Sequence, residues 1–185
     1  GLTSKTGIDI AGEASTIIHK KENVGEVELA TMSFGQSFQI TPMQMLRAAA
    51  AIVNGGNLVT PHFAIRTCAA DKTTYSEFSY STTQEAVSKE TSDTMKDILR
   101  QVVEEGGGKN AYIEGFSIGG KTATSQKLPR GSGKYIASFI CFSDVTDPYV
   151  IAMCLIDEPQ GVYYGGTIAA PVIRELYDNI LPYMD

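Results

Sequence analysis

Apolar and polar positions along the chain change rhythm several times. Residues 1–35 are rich in Gly, Thr, Ser and charge with only short apolar stretches, and they predict an irregular, extended lead-in. A helix then announces itself. Thr41 is followed by Pro42 and, three places on, by Gln44, a capping box with proline at the first helical position, where its missing N–H costs nothing. The run MQMLRAAAAIV is apolar on nearly every side, which predicts burial over most of the circumference, and Asn54-Gly55-Gly56 supplies a left-handed stop. The Thr- and Ser-rich stretch 67–88 predicts weak strands and loops. A second helix over about 91–104 sets Met95, Ile98, Leu99, Val102 and Val103 at helical spacing, closed by Gly106-Gly107-Gly108.

From there the period shortens. Residues 112–118 alternate, and IASFICF and YVIAMCLI are short continuous apolar runs separated by SDVTDP. Runs of that kind bounded by turn residues predict three strands, the last two buried on both faces and joined by a hairpin at Asp147-Pro148. From Thr167 to about Leu181, Val172, Ile173, Leu176 and Ile180 fall on one face of a third helix. The order predicts an α+β fold, with helices packed on an antiparallel sheet.

Composition narrows the class of function. The 185 residues are 43% hydrophobic and 19% charged, an ordinary globular composition that fits one domain, or two small ones at most. A formal charge of −6 argues against general affinity for nucleic acid or acidic lipid. No apolar run approaches the ~18 residues of a membrane span, and GLTSKTGIDI does not read as a signal peptide. Cys68, Cys141 and Cys154 form no CxxC pair and have no histidine at zinc spacing, so they read as three buried free thiols and no metal is expected. His19 and His62 read as surface or loop residues, and no cofactor is implied.

One motif invites a nucleotidase reading. Gly115 through Thr122 satisfies GxxxxGK[ST], and VIAMCLIDE ends in Asp157-Glu158, like the apolar strand and acidic pair that hold magnesium in ATPases. A phosphate loop must open into a helix whose N-terminal N–H groups cradle the phosphates. Here ATSQKLPRGSGK follows, with Pro129, Gly131 and Gly133 and no helical period, while Phe116 and Ile118 alternate like strand residues.

Five blocks taken together point elsewhere. SKTGIDIAGEA (4–14), VELATMSFGQSFQITPMQM (27–45), NGGNLVTPH (54–62), GGKTATSQK (119–127) and DEPQGVYYGGTIAAP (157–171) resemble, in order and spacing, the transpeptidase domain of class B penicillin-binding proteins of the spore and division type. The resemblance covers essentially the whole chain. It implies the C-terminal part of the penicillin-binding transpeptidase and serine β-lactamase-like fold, here a three-stranded antiparallel remnant packed with helices. It also implies acyl transfer by a serine nucleophile, through the motifs SxxK, SxN and KTG, onto a D-Ala-D-Ala stem peptide or the β-lactam that mimics it.

Only the third motif is present. Lys5-Thr6-Gly7 spells KTG but lies in the block before GID-x-x-GE, far upstream of the strands. The matching position is Lys121-Thr122-Ala123-Thr124. By the resemblance, Lys121 supplies positive potential, Thr122 and Thr124 hydrogen-bond the substrate carboxylate, and the Thr124 N–H forms half an oxyanion hole. Ala123 replaces the usual glycine, which would let the strand approach the nucleophile more closely. No serine is followed three places later by lysine, and there is no Ser-x-Asn. Residues 1–185 are therefore expected to be the C-terminal portion of one transpeptidase domain, with nucleophile, SxN motif and one sheet strand supplied upstream, and this chain alone is expected to be inactive. A parent tethered outside the cytoplasmic membrane is implied, with self-association through the unpaired sheet edge. Two other readings stand beside this one: a non-catalytic interaction module using an exposed strand edge, and the P-loop ATPase.

Overall fold

The computed structural model describes residues 1–143 and 150–184. The chain divides into two compact units, Gly1–Lys89 and Glu90–Asp185.

In the first unit the predicted lead-in contains a helix, α1 (Glu26–Ser33), preceded by a 3-10 turn at Lys21–Asn23. The Glu28 carboxylate accepts the Gly25 N–H at 3.0 Å and so caps α1. Its apolar residues are not gathered on one face, and Val27 and Leu29 remain exposed, so helical spacing carries no signal there. Helix α2 (Pro42–Val53) has the expected bounds and the expected box. Gln44 N–H donates to Thr41 Oγ1 at 3.1 Å, and Thr41 N–H donates to Gln44 Oε1 at 2.8 Å. Gly55 adopts φ 83°, and the Gly56 N–H closes on the Ala51 carbonyl at 3.0 Å.

Burial of α2 is shallower than its composition predicts. Within it only Gln44, Ala51 and Val53 are buried, and most of the rest is half-buried. Gln44 is the polar hub of this unit: its amide donates to Ser4 O (2.7 Å) and Thr16 Oγ1 (2.8 Å), tying the N-terminal segment to α2. Strands β1 (Leu58–Val59), β2 (Arg66–Cys68), β3 (Tyr75–Glu77) and β4 (Thr82–Thr83) form two small antiparallel pairs, β1 with β4 and β2 with β3. Cys68 is exposed rather than buried, because every residue of the β2–β3 pair faces solvent.

The second unit is built on a three-stranded antiparallel sheet in the order β5 (Ile118–Gln126), β6 (Tyr135–Ser143), β7 (Val150–Asp157). The Asp147-Pro148 turn lies outside the described residues. Residues 112–117 are turn and loop, not strand; Ile113 and Ile118 reach the core from either side of a bend, with Phe116 packed against it. Strand β6 carries the deepest burial, with Ala137, Phe139, Cys141 and Phe142 inside, whereas β7 is mostly half-buried.

Helix α3 (Lys89–Glu104) turns Val103 and Ser92 inward and leaves Ile98 47% exposed, so Ile98 lies off the predicted face. The single C-terminal helix predicted from Thr167 is two helices, α4 (Gly165–Ile168) and α5 (Ala170–Ile180). Pro171 has no N–H for the Thr167 carbonyl, which breaks the ladder. The inward face is Ala170, Ile173, Tyr177 and Leu181, with Val172 and Leu176 49% and 44% exposed. Tyr177, fully buried, offers its hydroxyl to the carbonyls of Cys141 (3.2 Å) and Val150 (3.3 Å), locking α5 onto the sheet.

Candidate functional site

The segment preceding Lys121 has a structural explanation. A Cβ on Gly119 would meet the Phe142 ring, and one on Gly120 would lie 2.7 Å from the Phe139 ring and 2.8 Å from the Ile140 carbonyl. These glycines let two aromatic rings pack against the strand. Strand β5 then continues through Thr122 and Ala123 to Gln126, with no helix. Asp157 and Glu158 hold lysines. Lys127 Nζ lies 2.9 Å from Asp157 Oδ1 and 2.7 Å from Glu158 Oε1, and Lys134 Nζ lies 2.9 Å from Glu158 Oε2. The nucleotidase reading fails on both counts.

Lys5-Thr6-Gly7 is likewise accounted for. The Glu13 carboxylate accepts Thr6 N–H at 2.7 Å and Gly7 N–H at 3.3 Å. The Asp9 carboxylate accepts Ala64 N–H at 2.8 Å and Phe63 N–H at 3.0 Å, bonds that hold its carboxyl below the usual range. Asp9 and Glu13, the acidic residues of GID-x-x-GE, pin loops of the first unit.

The second unit contains an open cleft of about 310 Å³ along β5, lined by Gly107, Asn110, Thr122–Thr124 and Tyr164–Thr167. Its walls come close because they are backbone. A Cβ on Gly165 would meet the Ser138 carbonyl and lie 2.5 Å from that of Ala123. One on Gly166 would lie 2.5 Å from the Gly107 carbonyl and 3.1 Å from Thr122 Cγ2. The Gly165 N–H donates to Thr124 Oγ1 at 3.3 Å. With a lone pair of Thr124 engaged, its hydroxyl proton is free to be donated, which suits an acceptor-only group such as a carboxylate.

Strand alternation puts the Thr122 and Thr124 side chains on the α4 side of β5 and Lys121 and Ala123 on the other. Lys121 is exposed and outside the cleft lining, its ammonium 2.8 Å from the Thr122 carbonyl. That carbonyl therefore points off the free side of β5, and in an antiparallel ladder the N–H and C=O of Thr124, two residues on, point the same way. Of the four residues singled out in the sequence, Thr122, Ala123 and Thr124 meet in the cleft and Lys121 stands beside it.

Gly107, Asn110, Tyr164, Gly165, Gly166 and Thr167 were not singled out as site residues. YYGG carried a signal in its paired glycines; Asn110 carried none. Tyr163 stacks on Tyr135 with centroids 4.0 Å apart, and its hydrogen bond to Tyr164 raises the Tyr164 hydroxyl above its ordinary value. Among the described residues, no three His, Cys, Asp or Glu side chains converge on a metal site, and no helix is long and apolar enough to cross a membrane.

Comparison with known proteins places the chain in a family. The model of the penicillin binding protein transpeptidase domain matches residues 1–178. Stage V sporulation protein D of Bacillus subtilis is 40% identical over 98% of this chain and 29% of its own length. A probable peptidoglycan D,D-transpeptidase, PenA of Neisseria flavescens, is 30% identical over 92% of this chain and 41% of its own. Among solved structures, penicillin binding protein 3 of Mycobacterium tuberculosis, complexed with aztreonam, superposes on the whole chain with a TM-score of 0.87 at 25% identity, over 44% of its own length. The chain thus spans less than half the length of each of these relatives. With a family model matched from Gly1 almost to the C-terminus, it belongs to the penicillin-binding protein transpeptidase family.

Proposed function

We propose that this chain supplies the substrate-carboxylate clamp of a peptidoglycan D,D-transpeptidase whose serine nucleophile lies outside these 185 residues. The observation that carries this reading is the pair of hydroxyls on Thr122 and Thr124, side by side in a cleft on β5 and backed by Gly165–Gly166. In this reading the terminal carboxylate of a D-Ala-D-Ala stem peptide, or the acid group of a β-lactam, accepts hydrogen bonds from both threonines. Lys121 adds positive potential from the neighbouring face, and the outward N–H of Thr124 stabilises the oxyanion formed when the serine attacks. Ala123 carries its methyl on the Lys121 side, where glycine would leave room. Residues 1–185 then constitute the C-terminal portion of one transpeptidase domain, acting at the extracytoplasmic face of the membrane.

Magnitudes set the strength of the isolated clamp. Each hydroxyl-to-carboxylate bond contributes about 1.5–3 kcal/mol, against an association cost of about 4 kcal/mol or more. The net is at best about 2 kcal/mol, binding in the tens of millimolar or weaker. The open edge of β7 is the second recognition element of this reading. It takes a further strand, from the remainder of the domain or from a second copy of the chain.

Titration of the ¹⁵N-labelled chain with N-acetyl-D-Ala-D-Ala tests the assignment. Amide shifts confined to residues 121–124 and 164–167 support it. Saturating ligand that leaves those amides unmoved, or shifts centred elsewhere, overturns it.

A further inference from the structure

The clamp hydroxyl of Thr124 accepts from the backbone N–H of Gly165, the first of two consecutive glycines, the residue type with the least conformational preference of its own. Tyr164, at the N-cap of α4, provides no side-chain cap. Among the described residues one side-chain hydrogen bond reaches the backbone of this glycine pair from outside β5. Asn110 Nδ2 donates to the Gly166 carbonyl at 2.7 Å. Asn110 sits in a 3-10 turn, Lys109–Ala111, closed by Ala111 N–H to Gly108 O at 2.9 Å and anchored by the fully buried Ala111. Its backbone is fixed by the core while its side chain reaches α4.

We propose that Asn110 is a positioning residue for the carboxylate clamp. Through the Gly166 carbonyl it fixes the Gly165 N–H that orients the Thr124 hydroxyl, and it sets the distance between Gly166 and the Thr122 methyl. This inference rests on the reading of the cleft as a carboxylate clamp. Asn110 touches no reacting atom; it acts through Gly165 and Gly166. Loss of its amide donor frees the glycine pair, lets Thr124 sample more than one χ1 rotamer, and weakens carboxylate binding with little effect on folding, since Asn110 is exposed.

The test uses the full 185-residue chain and two variants. Asn110→Asp keeps the size and removes the donor, and Asn110→Ala removes both. Three-bond couplings report the Thr124 χ1 population without any ligand. The wild type gives the values of one rotamer and both variants give averaged values. The dissociation constant for N-acetyl-D-Ala-D-Ala, read from amide shifts, rises about three- to tenfold, the loss of one ordinary hydrogen bond, while the thermal midpoint holds. Thr124 couplings that match the wild type in both variants overturn the inference. A wild type whose Thr122–Thr124 amides ignore the dipeptide overturns the clamp reading instead, and the couplings still decide whether Asn110 positions Thr124.

Discussion

The Gly165 N–H and the Thr124 hydroxyl oxygen, 41 residues apart in the chain, are joined by a 3.3 Å hydrogen bond at the floor of the cleft. That bond requires the first turn of α4 to lie against the backbone of β5 and β6, and only glycine permits it.

Gly165→Ala is therefore expected to destabilise the second unit by about 1–3 kcal/mol, towards the upper end, because the obstructing atoms are the Ser138 and Ala123 carbonyls rather than flexible side-chain ends. Urea denaturation followed at the amide resonances of β6 measures the loss. An unchanged midpoint would mean that α4 stands off the sheet.

The three thiols should separate by rate. At pH 8 an aromatic disulfide reagent reacts first with exposed Cys68 and more slowly with half-buried Cys154. Burial pushes the Cys141 thiol up to about 12, so it reacts only on unfolding. Cys141 pairs with Ala152 and Cys154 with Phe139, a diagonal relation whose roughly 7–8 Å spacing exceeds disulfide reach. Denatured, unreduced chain should yield all three thiols per molecule; recovery of a single thiol would contradict this register.

The lysine–carboxylate cluster at the end of the sheet sets a pH window. The hydrogen bonds from Lys127 and then Lys134 hold the Glu158 carboxyl below its usual 4.5. Its contribution is thus complete above the unfolded value and lost as pH falls through the lower folded value. Bonds to Glu158 and then Asp157 raise Lys127 above 10.5, so its contribution is complete below the unfolded value and lost as pH rises through the folded one. The cluster is intact between roughly pH 5 and pH 10, and salt weakens it because the groups are exposed. Carboxyl ¹³C titration checks this: Lys127→Met should return Glu158 towards its ordinary value, and an unmoved titration curve would show that the contacts carry no weight in solution.

Local signals made α2 and the two sheet runs legible. Thr41, Pro42 and Gln44 specify a helix start within four residues, and continuous apolar runs between turn residues specify strands, of which β6 is deeply buried and β7 only half-buried. Helix α1 escaped because Val27 and Leu29 do not share a face. Of the predicted C-terminal face, Ile173 and Ile180 meet the core whereas Val172 and Leu176 do not, because hydrophobicity alone does not say which stripe meets the sheet; Tyr177, with its polar tip, is the residue that docks. Nothing helical follows Thr122, and packing of Phe139 and Phe142 explains the glycines of the P-loop pattern. Lys121, Ala123 and the two threonines are legible only through the resemblance of five ordered blocks to the transpeptidase family. Asn110 was invisible because its partner is 56 residues away and a lone asparagine in a turn has many bland roles.

Intact-mass spectrometry after incubation with benzylpenicillin tests the division between clamp and nucleophile directly. A stable acyl adduct needs a serine activated by a neighbouring base, and loss of the nucleophile removes nearly all of the rate. No serine here has a lysine three residues on, no His, Asp or Glu is among the described residues that line the cleft around Thr122 and Thr124, and burial pushes the Cys141 thiol up to about 12. The 185-residue chain is predicted to keep its unmodified mass, whereas the same chain extended upstream through an SxxK segment gains one penicilloyl group per molecule. A stoichiometric adduct on the 185-residue chain itself, or none on the extended protein, would contradict the assignment.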